Sequence, residues 1–313
     1  MRYPAVVVAT WLAGCSDDAS TLDARPLPTQ LPSSLADTGI YKDFDTKQLA
    51  SDLREFAPAN VLWSDAAVKT RWIRLPAGAE VDNSDNDRWL FPVGTTWFKE
   101  FAKDGKRLET RVIWRVSDTG DRERDTLFGA YVWNDVETEA ILAPNGEMNV
   151  RGTEHDVPSG EDCWKCHIGE PGRALGYSAL QLGDVTDVPL AQPLAPDTTF
   201  AAPNAALGYL HANCGHCHNP AGSAWVSSSM QLRLSADDRD AATTAAVRTT
   251  VGVALQQWVG HGFTQRVVPG DPDASALLYR MTQRTSGTQM PPLATERIDD
   301  AGVTLIRNWI STL

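Results

Sequence analysis

The chain has 313 residues, 42% of them hydrophobic and 22% charged, with a formal charge of -12 and a pI near 4.9. That length supports a sizeable core and up to two domains, and the composition is that of a soluble globular protein. The acidic balance argues against nucleic acid, whose phosphates need a basic surface, and leaves solubility or the steering of a basic partner as its role.

Residues 1 to 15, MRYPAVVVATWLAGC, place Arg2 ahead of an apolar run from Ala5 to Ala13. The run is too short to span a bilayer and fits an export signal. Its end, Leu12-Ala13-Gly14-Cys15, resembles a bacterial lipobox, where the chain is cut before the cysteine and the sulfur is lipidated. The alternatives are an ordinary cleaved signal with an incidental thiol, or a start codon placed too far downstream. The lipobox is preferred because it also removes an odd cysteine, a liability in an oxidising compartment. It predicts an exported, periplasm-facing protein held to a membrane through Cys15. Residues 16 to 34 are polar, contain Pro26, Pro28 and Pro32, and read as a flexible tether.

From 35 to 150 short runs alternate apolar and polar residues. In Glu109 to Val116, Thr110, Val112, Trp114 and Val116 share one face and Arg111 and Arg115 the other. Similar runs are Arg71 to Leu75, Arg88 to Phe91, Thr96 to Phe101, Leu127 to Asn134 and Glu139 to Leu142. Turn signals at Pro76 to Gly78, Pro92 to Gly94, Asp104-Gly105 and Asn145-Gly146 separate them, which predicts an antiparallel β-sandwich. Six tryptophans (Trp63, Trp72, Trp89, Trp97, Trp114, Trp133) fall here and are read as core rather than a sugar-binding surface. The run DNSDND at 82 to 87 lacks the spacing of an EF-hand loop and reads as solvated, with calcium a minority reading.

Residues 151 to 313 change character. A Pro- and Ala-rich connection at 189 to 203 precedes helix signals. Asp271-Pro272 predicts a cap and first turn for a helix with Ala274, Leu277, Leu278 and Met281 on one face. Asp299 or Asp300 predicts a cap for a last helix whose stripe is Val303, Ile306, Trp309, Ile310 and Leu313.

Four of the five cysteines form two CxxC pairs, Cys163 with Cys166 and Cys214 with Cys217, each followed at once by a histidine, His167 and His218. Cys-x-x-Cys-His is the attachment signature of haem c, supplying two thiols for the vinyl groups and an imidazole for the iron. The stretch Leu207 to Asn213 is consistent with a helix that delivers the second motif. A zinc ribbon wants its pairs about 15 to 20 residues apart, whereas 46 residues lie between His167 and Cys214. A thioredoxin-like dithiol wants a βαβ setting, and two local disulfides leave the histidines unexplained. Two covalently bound haem c groups, each with an iron, are therefore expected.

Met290, in Gln289-Met-Pro-Pro292, lies 72 positions after His218 and ahead of the last helix. It is the expected distal ligand of the second haem, and a His/Met pair raises the potential. Met281 is the weaker rival, explained as core by its helical spacing. For the first haem the candidates are His155, narrowly first, then His211, Met148, Met230 and His261, or an open position. His155 has a plain hydrogen-bonding role as its alternative. His216, between the two cysteines of its motif, reads as a solvent-facing spacer.

The chain resembles the uncharacterised bacterial di-haem c-type cytochromes, exported and often lipoproteins, that are encoded beside a β-helix repeat protein. The likeness rests on TGIYKDFDTKQLASDLREFAPANVLWSDAAVKTRWIRLPAG, DRWLFPVGTTWFKEF, HDVPSGEDCWKCH, YLHANCGHCHNPAG and the ending from MPPL. It implies covalent haem and single-electron transfer with unidentified donor and acceptor proteins.

These readings combine into a multi-domain α+β chain: signal (1 to 15), tether (16 to 34), β-sandwich (35 to 150) and an α-helical cytochrome c-like domain (151 to 313). An electron-transfer role is favoured over catalysis. The alternatives are a peroxidase-like di-haem enzyme with one open iron position, and a glycan- or protein-binding sandwich with a redox domain attached.

Overall fold

Apolar residues alternate with polar ones through the first half of the chain, and this period of two builds sheet. A small hairpin comes first, β1 (Tyr41–Asp43) with β2 (Gln48–Leu49). A six-stranded antiparallel sheet follows, formed by β3 (Arg54–Glu55), β4 (Val68–Arg74), β5 (Thr96–Lys103), β6 (Lys106–Arg115), β7 (Thr126–Trp133) and β8 (Ala140–Leu142). Its strands lie side by side in chain order. The computed structural model describes residues 26–121, 124–182, 187–194 and 200–313; Cys15 and the expected export signal lie outside the described residues.

The register pairs Trp72 with Phe98 and Phe98 with Val112, so these residues share one face of the sheet. Leu35, Ile40, Tyr41, Tyr131 and Trp133 complete that layer with the hairpin folded over it. The fully buried large side chains among them, Leu35, Ile40, Phe98, Tyr131 and Trp133, each contribute roughly 1.5–3 kcal/mol over leaving them exposed. Trp133 Nε1 donates to Thr110 Oγ1 at 3.0 Å, which satisfies its polar end. Trp72, Trp89, Trp97, Trp114 and Trp133 are buried and Trp63 is half-buried, in keeping with a core role. The tight turn between β5 and β6 is Asp104-Gly105, both at positive φ, the conformation that a two-residue hairpin loop demands.

The opposite face carries Arg71, Lys99 and Arg111 side by side, with Ile73, Trp97 and Ile113 in the next row. It is not solvated. Trp97 and Ile73 pack with Ala174, Tyr177, Leu182 and Phe200, so one hydrophobic cluster crosses the expected boundary at 150.

Two expectations about the fold are overturned. Among the described residues no sandwich forms, because the six-stranded sheet carries only the two-stranded β1–β2 hairpin over one face. Arg88 to Phe91 makes only an isolated bridge between Leu90 and Asp82, in a segment broken by Pro76, Gly78 and Pro92. The DNSDND loop is held by its own turns, and the Asp87 carboxylate accepts from Ser235 Oγ and Ala236 N.

Among the described residues the α-helical cytochrome c-like domain is not evident either, because the helices after residue 150 are mostly short and separated by irregular chain. After residue 150 the described helices are α1 (Gly160–His167), α2 (Ala179–Leu182), α3 (Ala205–Asn213), α4 (Trp225–Ser228), α5 (Ala245–Arg248), α6 (Ala276–Met281) and α7 (Asp300–Ser311). Only α1, α3 and α7 reach two turns. Short polar residues compete for the backbone between them. The Asp271 carboxylate accepts from Asp273 N and Ala274 N, and this local turn holds back α6 until Ala276.

A third cluster joins Leu207 and Leu210 of α3, Leu278 and Met281 of α6, and Ile306, Trp309 and Ile310 of α7. Asp299 caps α7 by accepting from Gly302 N at 3.0 Å. Gly302 lets α3 and α7 approach closely, because a Cβ there would strike the Tyr209 ring. No helix among the described residues is long and apolar enough to cross a membrane.

Candidate haem-attachment cavity

The first CxxCH motif is one short helix. Ser159 caps α1 in a reciprocal box with Asp162, Ser159 Oγ accepting from Asp162 N at 3.1 Å and the Asp162 carboxylate accepting from Ser159 N at 3.3 Å. The helix lies on β7, where Phe128 meets Trp164 edge-on at 4.8 Å and His167 at 5.2 Å. Cys163 and His167, one turn apart, therefore face the same way.

His167 Nδ1 lies 2.5 Å from the carbonyl oxygen of Arg173. A carbonyl only accepts, so Nδ1 carries the proton and Nε2 keeps its lone pair. Burial pushes the His167 pKa down to about 3, so the ring is neutral at ordinary pH.

The second motif follows α3, which Asn204 caps through Leu207 N. Cys214 ends that helix, and His218 N donates back to Cys214 O at 2.9 Å, which curls the motif into a single turn. The Asn219 amide donates to the carbonyls of Gly215 and His216 and locks the turn from beneath. His218 Nδ1 is 3.2 Å from Ser228 Oγ, and burial lowers the ring's pKa to about 4.

Both turns open into one cavity of about 510 Å³, a size usual for small-molecule and cofactor sites. Cys163, Cys166, His167, Cys214, Cys217 and His218 all line it, and so does Met290. Its walls are mostly apolar and include Trp63, Trp97, Phe98 and Phe128. None of the four cysteines is in a disulfide.

The two motifs meet at their second cysteines. Ligand atoms of Cys166, His216 and Cys217 lie within 4.8 Å of one another. The close approach of the two sulfurs raises the Cys166 pKa and lowers that of Cys217.

Other expected ligands lie elsewhere. His155 is buried beneath the sheet, its Nε2 2.7 Å from Glu109 Oε1 and its Nδ1 3.9 Å from Asp65 Oδ2, and it does not line the cavity. Glu109 claims it, so the plain hydrogen-bonding alternative replaces ligation. His211 Nδ1 accepts from Leu234 N, His261 is exposed and stacked on Trp258, and Met148 is 74% exposed. Of the residues considered for the first haem, only Met230 lines the cavity. Met281 lines it too, while also packing in the α3–α6–α7 core.

Two features escape a reading of the sequence. His216 is buried rather than solvent-facing, and its Nδ1 has no hydrogen-bond partner among the described residues. Arg71, Lys99 and Arg111 line the cavity although sheet alternation reads them as outward-facing. An unusual density of cations on one strand face, with both faces apolar elsewhere, is the only trace they leave.

Comparison with family models, curated proteins and solved structures found no match.

Proposed function

We propose that the protein is an exported di-haem c-type cytochrome that relays single electrons. One observation carries this reading: two CxxCH turns open into one cavity, each with free thiols and a neutral histidine whose Nδ1 is already engaged. Cys163, Cys166 and His167 would hold the first haem, and Cys214, Cys217 and His218 the second. Each thiol would add across a vinyl group, its proton and sulfur becoming part of a thioether with no oxidant needed. When bound, the group supplies reversible one-electron chemistry at iron.

The chain's part is to fix and tune it. Arg173 O and Ser228 Oγ set the orientation of the two imidazoles. Apolar walls exclude water, and Met290 stands in the same cavity as His218, available as its distal partner. Export and a lipid anchor at Cys15 rest on the lipobox likeness of residues 12 to 15, and the donor and acceptor are unidentified exported redox proteins.

The test is coexpression with haem-attachment machinery followed by acid-acetone extraction. Two haems per chain should stay with the polypeptide. A colourless polypeptide after extraction overturns the reading.

A second reading has its own observation. Cys166, His216 and Cys217 form a compact set of sulfur and nitrogen donors suited to zinc or copper(I). The two readings compete for the same sulfurs. Stoichiometric zinc or copper in protein made with attachment machinery present, and no covalent haem, would favour the metal.

A further inference from the structure

The sheet floor of the cavity holds more positive charge than its surroundings neutralise. Arg71 of β4, Lys99 of β5 and Arg111 of β6 are direct cross-strand neighbours on one face. Neighbouring strands lie about 4.8 Å apart, so three cations are aligned across about 10 Å. Like charges in such positions repel, and buried charge without a partner is costly.

Only one of the three is neutralised. The Glu109 carboxylate takes Arg111 through both oxygens, at 2.5 and 2.9 Å. Lys99 has no carboxylate partner among the described residues and leans over the Phe101 ring at 4.7 Å. Arg71 is 7% exposed, and the one hydrogen bond its guanidinium makes among the described residues is a long one, 3.4 Å, to Lys69 O. Lys69, on the same face, is itself held down to a pKa of about 8, chiefly by burial. A guanidinium with five donors in a fixed fork is thus buried at a cavity wall with nearly all of them unused.

We propose that Arg71 and Lys99 form a carboxylate-binding site that receives the propionate groups of the haem held at Cys163 and Cys166. This rests on the haem reading above. The two propionates of a haem lie on the opposite edge of the macrocycle from the vinyl groups that the cysteines capture. In the cavity the arrangement is parallel. Helix α1, which bears Cys163 and Cys166, packs on β7 through Phe128, and the unneutralised cations Lys99 of β5 and Arg71 of β4 lie two and three strands farther on. Arg71 offers a planar fork for one carboxylate and Lys99 a point charge for the other. Glu109 keeps Arg111 out of this set, so the charges would balance at two cations and two carboxylates.

The experiment uses haem-loaded full-length protein and the variants Arg71→Gln, Lys99→Gln and Arg71→Lys. Haem stoichiometry is measured first, then the propionate bending band in the resonance Raman spectrum, then the two midpoint potentials. The Gln variants should keep their covalent haem, shift the propionate band, and move one haem's reduction equilibrium about tenfold toward the oxidised form, which is 59 mV for one electron. Arg71→Lys should retain the potential while still shifting the band, because it keeps the charge and loses the fork. It carries the test should Arg71→Gln fail to fold. Loaded variants with unchanged band and potentials overturn this assignment and leave the cytochrome reading standing. Wild-type protein without covalent haem overturns both.

Discussion

The sulfur of Cys166 lies within 4.8 Å of the sulfur of Cys217, and each belongs to a different CxxCH turn. Two macrocycles anchored at adjacent sulfurs would share one apolar enclosure, where charge on one iron is felt strongly at the other. On the proposed reading, protein lacking the second cysteine pair, Cys214→Ala with Cys217→Ala, should retain one haem per chain. Its midpoint potential should differ from that of either haem in the intact protein by at least about 59 mV, a tenfold change for one electron. Spectroelectrochemical titration reads this, and a remaining haem whose potential matches one of the two in the intact protein would show that the haems do not interact.

Gly169 is what allows that closeness. It lies two residues after the first motif, and a Cβ there would collide with the carbonyl oxygen of His216 in the second motif and with the amide of Asn219 next to it. Gly169→Ala should therefore push the turns apart, at a cost of about 1–3 kcal/mol for overpacking. The deficit should appear in denaturant unfolding. In haem-loaded protein it should also weaken the mutual dependence of the two potentials.

The two CxxCH turns were legible as local structure, because five consecutive residues contain the thiols, the imidazole and the turn that presents them. Strands β4 to β8 and the Asp104-Gly105 hairpin were legible for the same reason, as period-two runs with a turn signal between. What failed was non-local. Alternation in β6 divides Thr110, Val112 and Trp114 from Arg111, but it does not say that the arginine face is covered by later parts of the chain. The sandwich failed because segments with turn residues on every side, such as Arg88 to Phe91, found only one bridge partner. The helical domain failed because side-chain turns like that of Asp271 take up backbone donors that a helix needs. His155 could not be placed by counting back from His167, since its partner Glu109 is 46 positions away on β6.

Met290 stands in the cavity between α6 and α7, opposite neither motif in sequence but in the same enclosure as His218. Met290→Ala should leave two covalent haems in place and remove the long-wavelength charge-transfer band of a sulfur–iron(III) bond. The potential of one haem should fall on the order of 0.1 V, a fraction of the roughly 0.8 V that axial ligands command. If Met290→Ala leaves both spectrum and potentials intact, Met230 and Met281 become the ligands to examine.

Acid stability should report on Glu109. This carboxyl is completely buried, which alone would raise its pKa, but Arg111 and His155 more than compensate and hold it at about 2. A carboxyl depressed below its ordinary 4.5 contributes stability that is fully present above pH 4.5. That contribution is lost as pH falls toward 2, because the unfolded chain takes up the proton first. Glu109→Gln should remove the dependence across this window and leave Arg111 buried without a counter-charge, at a cost of about 3–5 kcal/mol at neutral pH. Denaturant midpoints measured at pH 7, 4.5 and 3 for wild type and variant separate the two effects. A variant as stable as wild type at pH 7 would mean that Arg111 finds another anion in the cavity.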